Sequence, residues 1–233
     1  RSSSLLEDSH YEPFAGIYST YMIPYTDDRR SMIEMVKCAI KSVYASVFFR
    51  SSKAYMAATS NVIDEEKMAI VLQEVIGNKY NDRFYPTFSG VARSVNFYPI
   101  EPEKPEDGIA TIGLGLGKVI VEGGKVLRFS PKYPKKVLQL STLGLTMSDT
   151  QKKFYAVNLD PAAFKISCDD GVNIGDYDIT VADADGSINE ICSVYDFQDN
   201  VIRDGSWGEG KKLITFANIL KYNTFPLAEI LET

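Results

Sequence analysis

Residues 31–58, SMIEMVKCAIKSVYASVFFRSSKAYMAA, constrain the fold more than any other stretch of the chain. Ile33, Val36, Ile40, Val43 and Val47 recur at steps of three and four, which gathers apolar side chains on one face of a helix. Ser31 and Glu34 form an S-x-x-E capping box that satisfies the first free amide groups, so the spacing predicts a helix beginning at Ser31. A helix with one apolar face has to cover something, and the flanking sequence supplies strands for it to cover.

The segment KMAIVLQEVIG reads as a buried strand over residues 68–72 that turns polar at Gln73 and Glu74 and ends at Gly77. FSGVARSVNF reads as its antiparallel partner. PIEPEKPEDG holds three prolines and four acids in ten residues, which makes it a surface loop. IATIGLGLGKVIVEGGKVLRF resumes strand character on both sides of a glycine cluster. From about residue 138, strand-like runs alternate with Asp-Gly turns, the texture of a second small sheet. KLITFANILKYNTFPLAEILET is expected to close the chain as a helix broken near Pro226. The chain therefore reads as α+β with mostly antiparallel sheets, divided into residues 1–137, a strand-rich insertion at 138–212 and a helical segment at 213–233.

With 233 residues and 45% hydrophobic content, the chain can bury one sizeable core or two small ones. Lys and Arg total 25 against 31 Asp and Glu, a formal charge of −6, which argues against nucleic acid or an anionic membrane as a partner. An anionic ligand must then be held by local groups. Cys38, Cys168 and Cys192 are odd in number and lack C-x-x-C spacing, so neither a disulfide framework nor a zinc site is expected, and a reducing cytoplasm fits. No apolar run reaches the roughly 20 residues that span a bilayer. The first residue is Arg, so the chain reads as an excised piece of a longer protein.

Several familiar chemistries fail on their spacing. Gly113, Gly115 and Gly117 lack the third glycine of G-x-G-x-x-G, because Lys118 stands there, and the flanks read strand to strand. A Walker A loop fails because Val119 follows Lys118 where Ser or Thr is needed. These glycines mark bulges or close backbone approach instead. His10, the sole histidine, has no G-x-S-x-G serine to serve, and Asp183 and Asp185 before Gly186 read as a hairpin turn rather than a calcium loop.

Phosphate binding survives this elimination. The Arg1 guanidinium can bond phosphate oxygens in pairs, Gly16 lets backbone amides come close, and Thr20 offers a hydroxyl, with Phe14 and Tyr18 as shields against water.

Together with these residues, a series of motifs resembles the N-terminal nucleotide-binding domain of the pyruvate phosphate dikinase and phosphoenolpyruvate synthase family, an ATP-grasp fold. Arg1-Ser2-Ser3 matches the end of V-R-S-S, Glu7-Asp8 follows, and Phe14-Ala15-Gly16 with Thr20 matches F-A-G-x-x-x-T. VYASVFF, IVLQEVI, SGVAR and GLGLGKVIVEGG continue the pattern in order, to about residue 131. The resemblance implies that Arg1 contacts ATP phosphates, that Gly16 and Thr20 belong to a loop over them, that Gln73 contacts the nucleotide and that residues 74–76, Glu74 to Ile76, form the adenine-side hinge. It further implies Mg2+, a phosphohistidine domain and a pyruvate-binding domain in the parent enzyme, with a catalytic lysine upstream and a metal-binding acid and Q-x-R-P motif downstream of this chain. Rifampicin or glucan dikinase-type enzymes share the same ATP module, and a non-catalytic nucleotide sensor is a further alternative. Two positions depart from the pattern: Ser19 stands where many relatives have Asp, and Lys118 stands where G-L-G-E has Glu.

Overall fold

The structure, a computed structural model, describes residues 1–4, 7, 18–58, 66–165 and 173–232. In chain order the elements are β1 (Ser2–Ser4), α1 (Arg29–Ser46), α2 (Arg50–Ala58), β2 (Met68–Ile70), β3 (Asn78–Tyr80), β4 (Arg83–Tyr85), β5 (Ser89–Arg93), β6 (Ile109–Gly113), α3 (Lys118–Val121) and β7 (Leu127–Phe129). They continue with α4 (Leu143–Asp149), β8 (Lys153–Asn158), β9 (Ile174–Asp178), α5 (Ile179–Ala184), β10 (Cys192–Asp196), β11 (Val201–Asp204), β12 (Lys211–Ile214), α6 (Ala217–Leu220) and α7 (Leu227–Glu232). The chain separates into two compact units, Arg1–Phe84 with Val157–Gly175 and Tyr85–Ala156 with Asp176–Thr233. Segment 138–212 contributes residues to both.

In the first unit, α1 begins earlier than the capping-box reading places it. Asp28 is the N-cap, its carboxylate accepting from the amides of Arg30 at 3.0 Å and Ser31 at 3.3 Å. A carboxylate is the stronger acceptor for free amides at the positive end of a helix, and Glu34 turns instead to Lys37 at 2.9 Å. The buried face is Met35, Ala39, Val43 and Ser46, rotated from the expected stripe so that Ile33 is exposed. The expected long helix also breaks after Ser46. There the Ser46 hydroxyl donates back to the Val43 carbonyl at 2.6 Å and Ser52 donates to the Ser46 carbonyl at 2.7 Å. Such serine-to-backbone bonds compete with the helical ladder, and α2 starts afresh at Arg50. The joint lets Val47 and Met56 pack with Tyr18 in one cluster, joined by Tyr55 and Met68.

The strand β2 pairs antiparallel with β1, Ser2 opposite Ile70 and Ser4 opposite Met68, and not with SGVAR as its apolar run suggests. A further sheet of order β3-β4-β8-β9 sets Arg83 opposite Asn158 and Phe84 opposite Val157.

In the second unit, SGVAR is β5 and forms the antiparallel sheet β5-β6-β7. The proline-rich segment is a loop, as expected, with a 3-10 turn at Pro105–Asp107. A second sheet has the order β11-β10-β12, both pairings antiparallel. Tyr85, Ile112, Leu127, Phe129, Phe154, Leu213 and Phe216 form the core, with the Tyr85 and Phe154 rings 4.7 Å apart. The expected hairpin at Asp185-Gly186 is a helix end. Asp178 caps α5 by accepting from the Thr180 amide at 2.9 Å, Ile179 and Ala182 are buried, and Gly186 at φ 72° terminates the helix in the left-handed region. At the C-terminus a strand, β12, precedes two short helices separated around Pro226.

Candidate nucleotide site

Of the expected site residues in the first unit, Arg1, Gln73, Glu74 and Ile76 lie on or just beyond the β1–β2 ribbon. Arg1 extends it by one pair: its backbone nitrogen donates to the Val71 carbonyl at 2.9 Å and the Val71 amide donates to the Arg1 carbonyl at 2.9 Å. By alternation Arg1, Ser3, Ala69 and Val71 share one face, while Ser2 and Ser4 are buried on the other. Arg1 is exposed, and Ser3 and Val71 on the same face are half-buried. The chain leaves Val71 for Gln73, Glu74 and Ile76 without further ladder pairing, and all three are exposed, Ile76 by 80%. The structure thus sets Arg1 beside the strand that leads to the expected adenine-side residues.

The buried serines have a role that motif reading missed. Ser2 donates to the Glu7 carboxylate at 2.6 Å, and the Glu7 amide donates to the Ser4 hydroxyl at 3.1 Å. Glu7 therefore folds back over the strand end and satisfies two buried hydroxyls. The signal was present as S-x-x-E from Ser4 to Glu7, the same spacing noticed at Ser31.

Of the expected phosphate loop, Phe14 and Gly16 lie outside the described residues, as does His10. Tyr18 is buried against Met68, at the far end of the ribbon from Arg1 and roughly 10 Å away by strand rise, and donates to Glu66 at 2.9 Å. Ser19 is buried too, its amide donating to the Ser46 hydroxyl at 3.3 Å. A neutral side chain suits this buried place. Thr20 follows, half-buried.

The glycine loop belongs to the second unit and is a packing device. Residues 113–116 are buried. Gly115 sits at φ 80°, and a side chain there would meet the Tyr155 carbonyl at 2.8 Å and the Phe154 ring at 2.9 Å. Gln151, also buried, accepts from the Leu114 amide at 2.7 Å and donates to the Leu114 and Lys153 carbonyls at 3.0 and 2.8 Å. The flank is strand to helix, not strand to strand, because α3 follows directly. Lys118 opens α3 and pairs with Glu122 at 2.8 Å, its ammonium lying 5.7 Å from the Tyr155 ring centre. Lys118 and the Tyr155 hydroxyl, which donates to Glu122 at 2.6 Å, hold the Glu122 carboxyl below the usual carboxylate range. The same hydrogen bond, with some burial, pushes the Tyr155 hydroxyl up to about 12.

Among the described residues no three His, Cys, Asp or Glu side chains gather as a metal site, and no helix is long and apolar enough to cross a membrane. Cys38 and Cys192 are free thiols.

Mixed helices with mostly antiparallel sheets are consistent with an α+β, ATP-grasp-like fold. The family model for pyruvate phosphate dikinase, AMP/ATP-binding domain, matches residues 1–168 of the 233, and the chain belongs to that family. The match runs past residue 131, where the recognisable motifs stop, and takes in β8. No curated protein and no solved structure matches the chain.

Proposed function

We propose that this chain is the ATP-binding part of a phosphoenolpyruvate synthase or pyruvate phosphate dikinase-like phosphotransferase, one that passes a phosphoryl group from ATP to a carrier histidine on another domain and then to pyruvate. The family supports the nucleotide, and the observation that carries the residue assignment is the Arg1–Val71 pair. It holds the backbone of Arg1 against Val71, with the residue exposed. In this reading Arg1 holds phosphate oxygens and stabilises the charge that builds as the phosphoryl group leaves ATP. Gly16 and Thr20 close a loop over the phosphates, and Gln73 with residues 74–76 meets the base. The Glu7 clasp on Ser2 and Ser4 keeps the ribbon end from fraying.

Mg2+ belongs to this reading as a companion of the nucleotide's phosphates. The described residues gather no acidic cluster for it, and no step is assigned to it. The phosphohistidine and pyruvate-binding domains are likewise assigned to the parent enzyme. Residues 138–212 are proposed as a family-specific insertion, and the two free thiols suit a cytoplasmic protein.

The test is ATP-dependent phosphorylation of the carrier histidine by the enzyme that contains this chain. The reading requires that Arg1→Ala, well folded, lose most of that phosphorylation. Wild-type phosphorylation by the variant overturns it.

A further inference from the structure

The strand β5 is one edge of the sheet β5-β6-β7. Alternate residues of an edge strand turn their N–H and C=O groups away from the sheet, toward whatever lies outside it. Among the described residues the backbone of residues 89–93 pairs with β6 and with nothing else. Gly90, Val91, Ala92 and Arg93 are all exposed.

Other sheet edges in the protein are guarded, and this one is not. β12 opens with Lys211 and Lys212, β11 ends in Arg203 and Asp204, β9 carries Asp176 and Asp178, and β7 has Arg128 in the middle of three residues. β1, β2 and β3 are three residues each. Short strands and charged side chains are what keep an edge from pairing with other chains. β5 is five residues long, holds Gly90, Val91 and Ala92 in a row, and has a single charge, Arg93, at its end. Residues 87–98 contain neither proline nor an acid.

The register fixes what a strand laid outside β5 would meet. Gly90 stands in a row with Ile112 and Leu127, and Ala92 in a row with Ala110 and Phe129, all four of them buried. On this core face the sheet ends in its smallest side chains, so an added strand with larger apolar ones would extend the buried layer. Val91 and Arg93 belong to the opposite face, with Thr111 and Arg128. Arg128 is taken up by Asn96 at 2.7 Å, whereas the Arg93 side chain makes no hydrogen bond or ion pair among the described residues.

We propose that β5 is a docking edge for an extended segment of a partner protein, added antiparallel, with apolar residues beside Gly90 and Ala92 and a carboxylate beside Arg93. Main-chain hydrogen bonds supply the affinity of such a strand addition, and alternate side chains supply its specificity. The charge on the edge selects the partner. A second copy of β5 brings another arginine and no acid to meet it, while an acidic partner strand neutralises Arg93.

The test is fluorescence anisotropy of a labelled peptide, Ser-Glu-Val-Thr-Val-Thr-Gly, added to the full chain. Laid antiparallel, it sets Glu beside Arg93 and its two valines beside Ala92 and Gly90. It should bind at about 100 µM or tighter, and the same peptide N-methylated at its central residues at least about tenfold more weakly. Arg93→Glu changes an exposed side chain and should melt with the wild type, yet weaken the peptide about tenfold; a peptide with Lys in place of Glu should restore its binding. Hydrogen exchange should slow at alternate amides of residues 89–93 when the peptide is bound. Absence of binding at about 1 mM, equal binding of the methylated peptide, or indifference to the sign of residue 93 overturns the proposal. Self-association that protects the same amides without peptide overturns it in favour of a second copy.

Discussion

Arg1 and Val71 exchange both of their backbone hydrogen bonds, each 2.9 Å long, across seventy residues of sequence. That reciprocal pair makes the first residue of the chain part of a sheet and places it beside the strand leading to Gln73. Arg1→Ala keeps the backbone pair and removes only an exposed guanidinium. The expected loss in the complete enzyme is on the order of 2 to 4 kcal/mol of transition-state stabilisation, with an unchanged melting temperature. Steady-state phosphorylation rates and thermal melts on the same preparations check it; a large drop in melting temperature would make Arg1 structural.

Gln151 reads the glycine loop through three hydrogen bonds, two of them to Leu114. Gln151→Leu leaves a buried amide and carbonyl without partners and should cost about 2 to 4 kcal/mol, measured as a lowered urea midpoint at unchanged slope.

Gly115 and Gly123 share positive φ, 80° and 71°, but differ in surroundings. Gly123→Ala meets nothing within 4 Å, so it should cost about 1 kcal/mol for the backbone alone. Gly115→Ala drives a methyl group into the Tyr155 carbonyl and the Phe154 ring and should cost clearly more, about 3 kcal/mol. Equal losses in denaturant unfolding would contradict the packing role of the loop.

Asp28, not Ser31, caps α1. Asp28→Ala should lower the melting temperature, whereas Glu34→Gln, which loses only a surface pair with Lys37, should leave it nearly unchanged.

Tyr155 donates to Glu122, and its ionisation is pushed up to about 12. Because the folded value lies above the unfolded one, near 10, the protonated phenol stabilises the fold. That contribution is intact below pH 10 and disappears as pH rises through about 12. Phenolate absorbance, compared between wild type and Tyr155→Phe, should show the missing group titrating late. Loss of an ordinary tyrosine near pH 10 would refute the hydrogen bond.

What the sequence determined by itself was local. The 31–58 segment is mostly helical, in two pieces, PIEPEKPEDG is a loop, and glycines within residues 113–117 mark close backbone approach, because periodicity, proline and the lack of a side chain act over a few residues. The ordered string of short motifs was enough to point to the family, since each is set by a local need of backbone or charge. Partnership was another matter. That β2 joins β1 rather than β5, that Asp28 outcompetes Ser31 at the cap, that the helix breaks at Ser46, and that Asp185-Gly186 ends a helix rather than turning a hairpin were decided in three dimensions. Each is a choice between locally similar options, settled by which side chains the rest of the fold buries. The fate of Lys118 belongs with them. Its charge was legible in the sequence, but only the turn of α3 and the approach of Tyr155 direct that charge to Glu122, because a flexible side chain goes to the nearest partner the folded backbone provides.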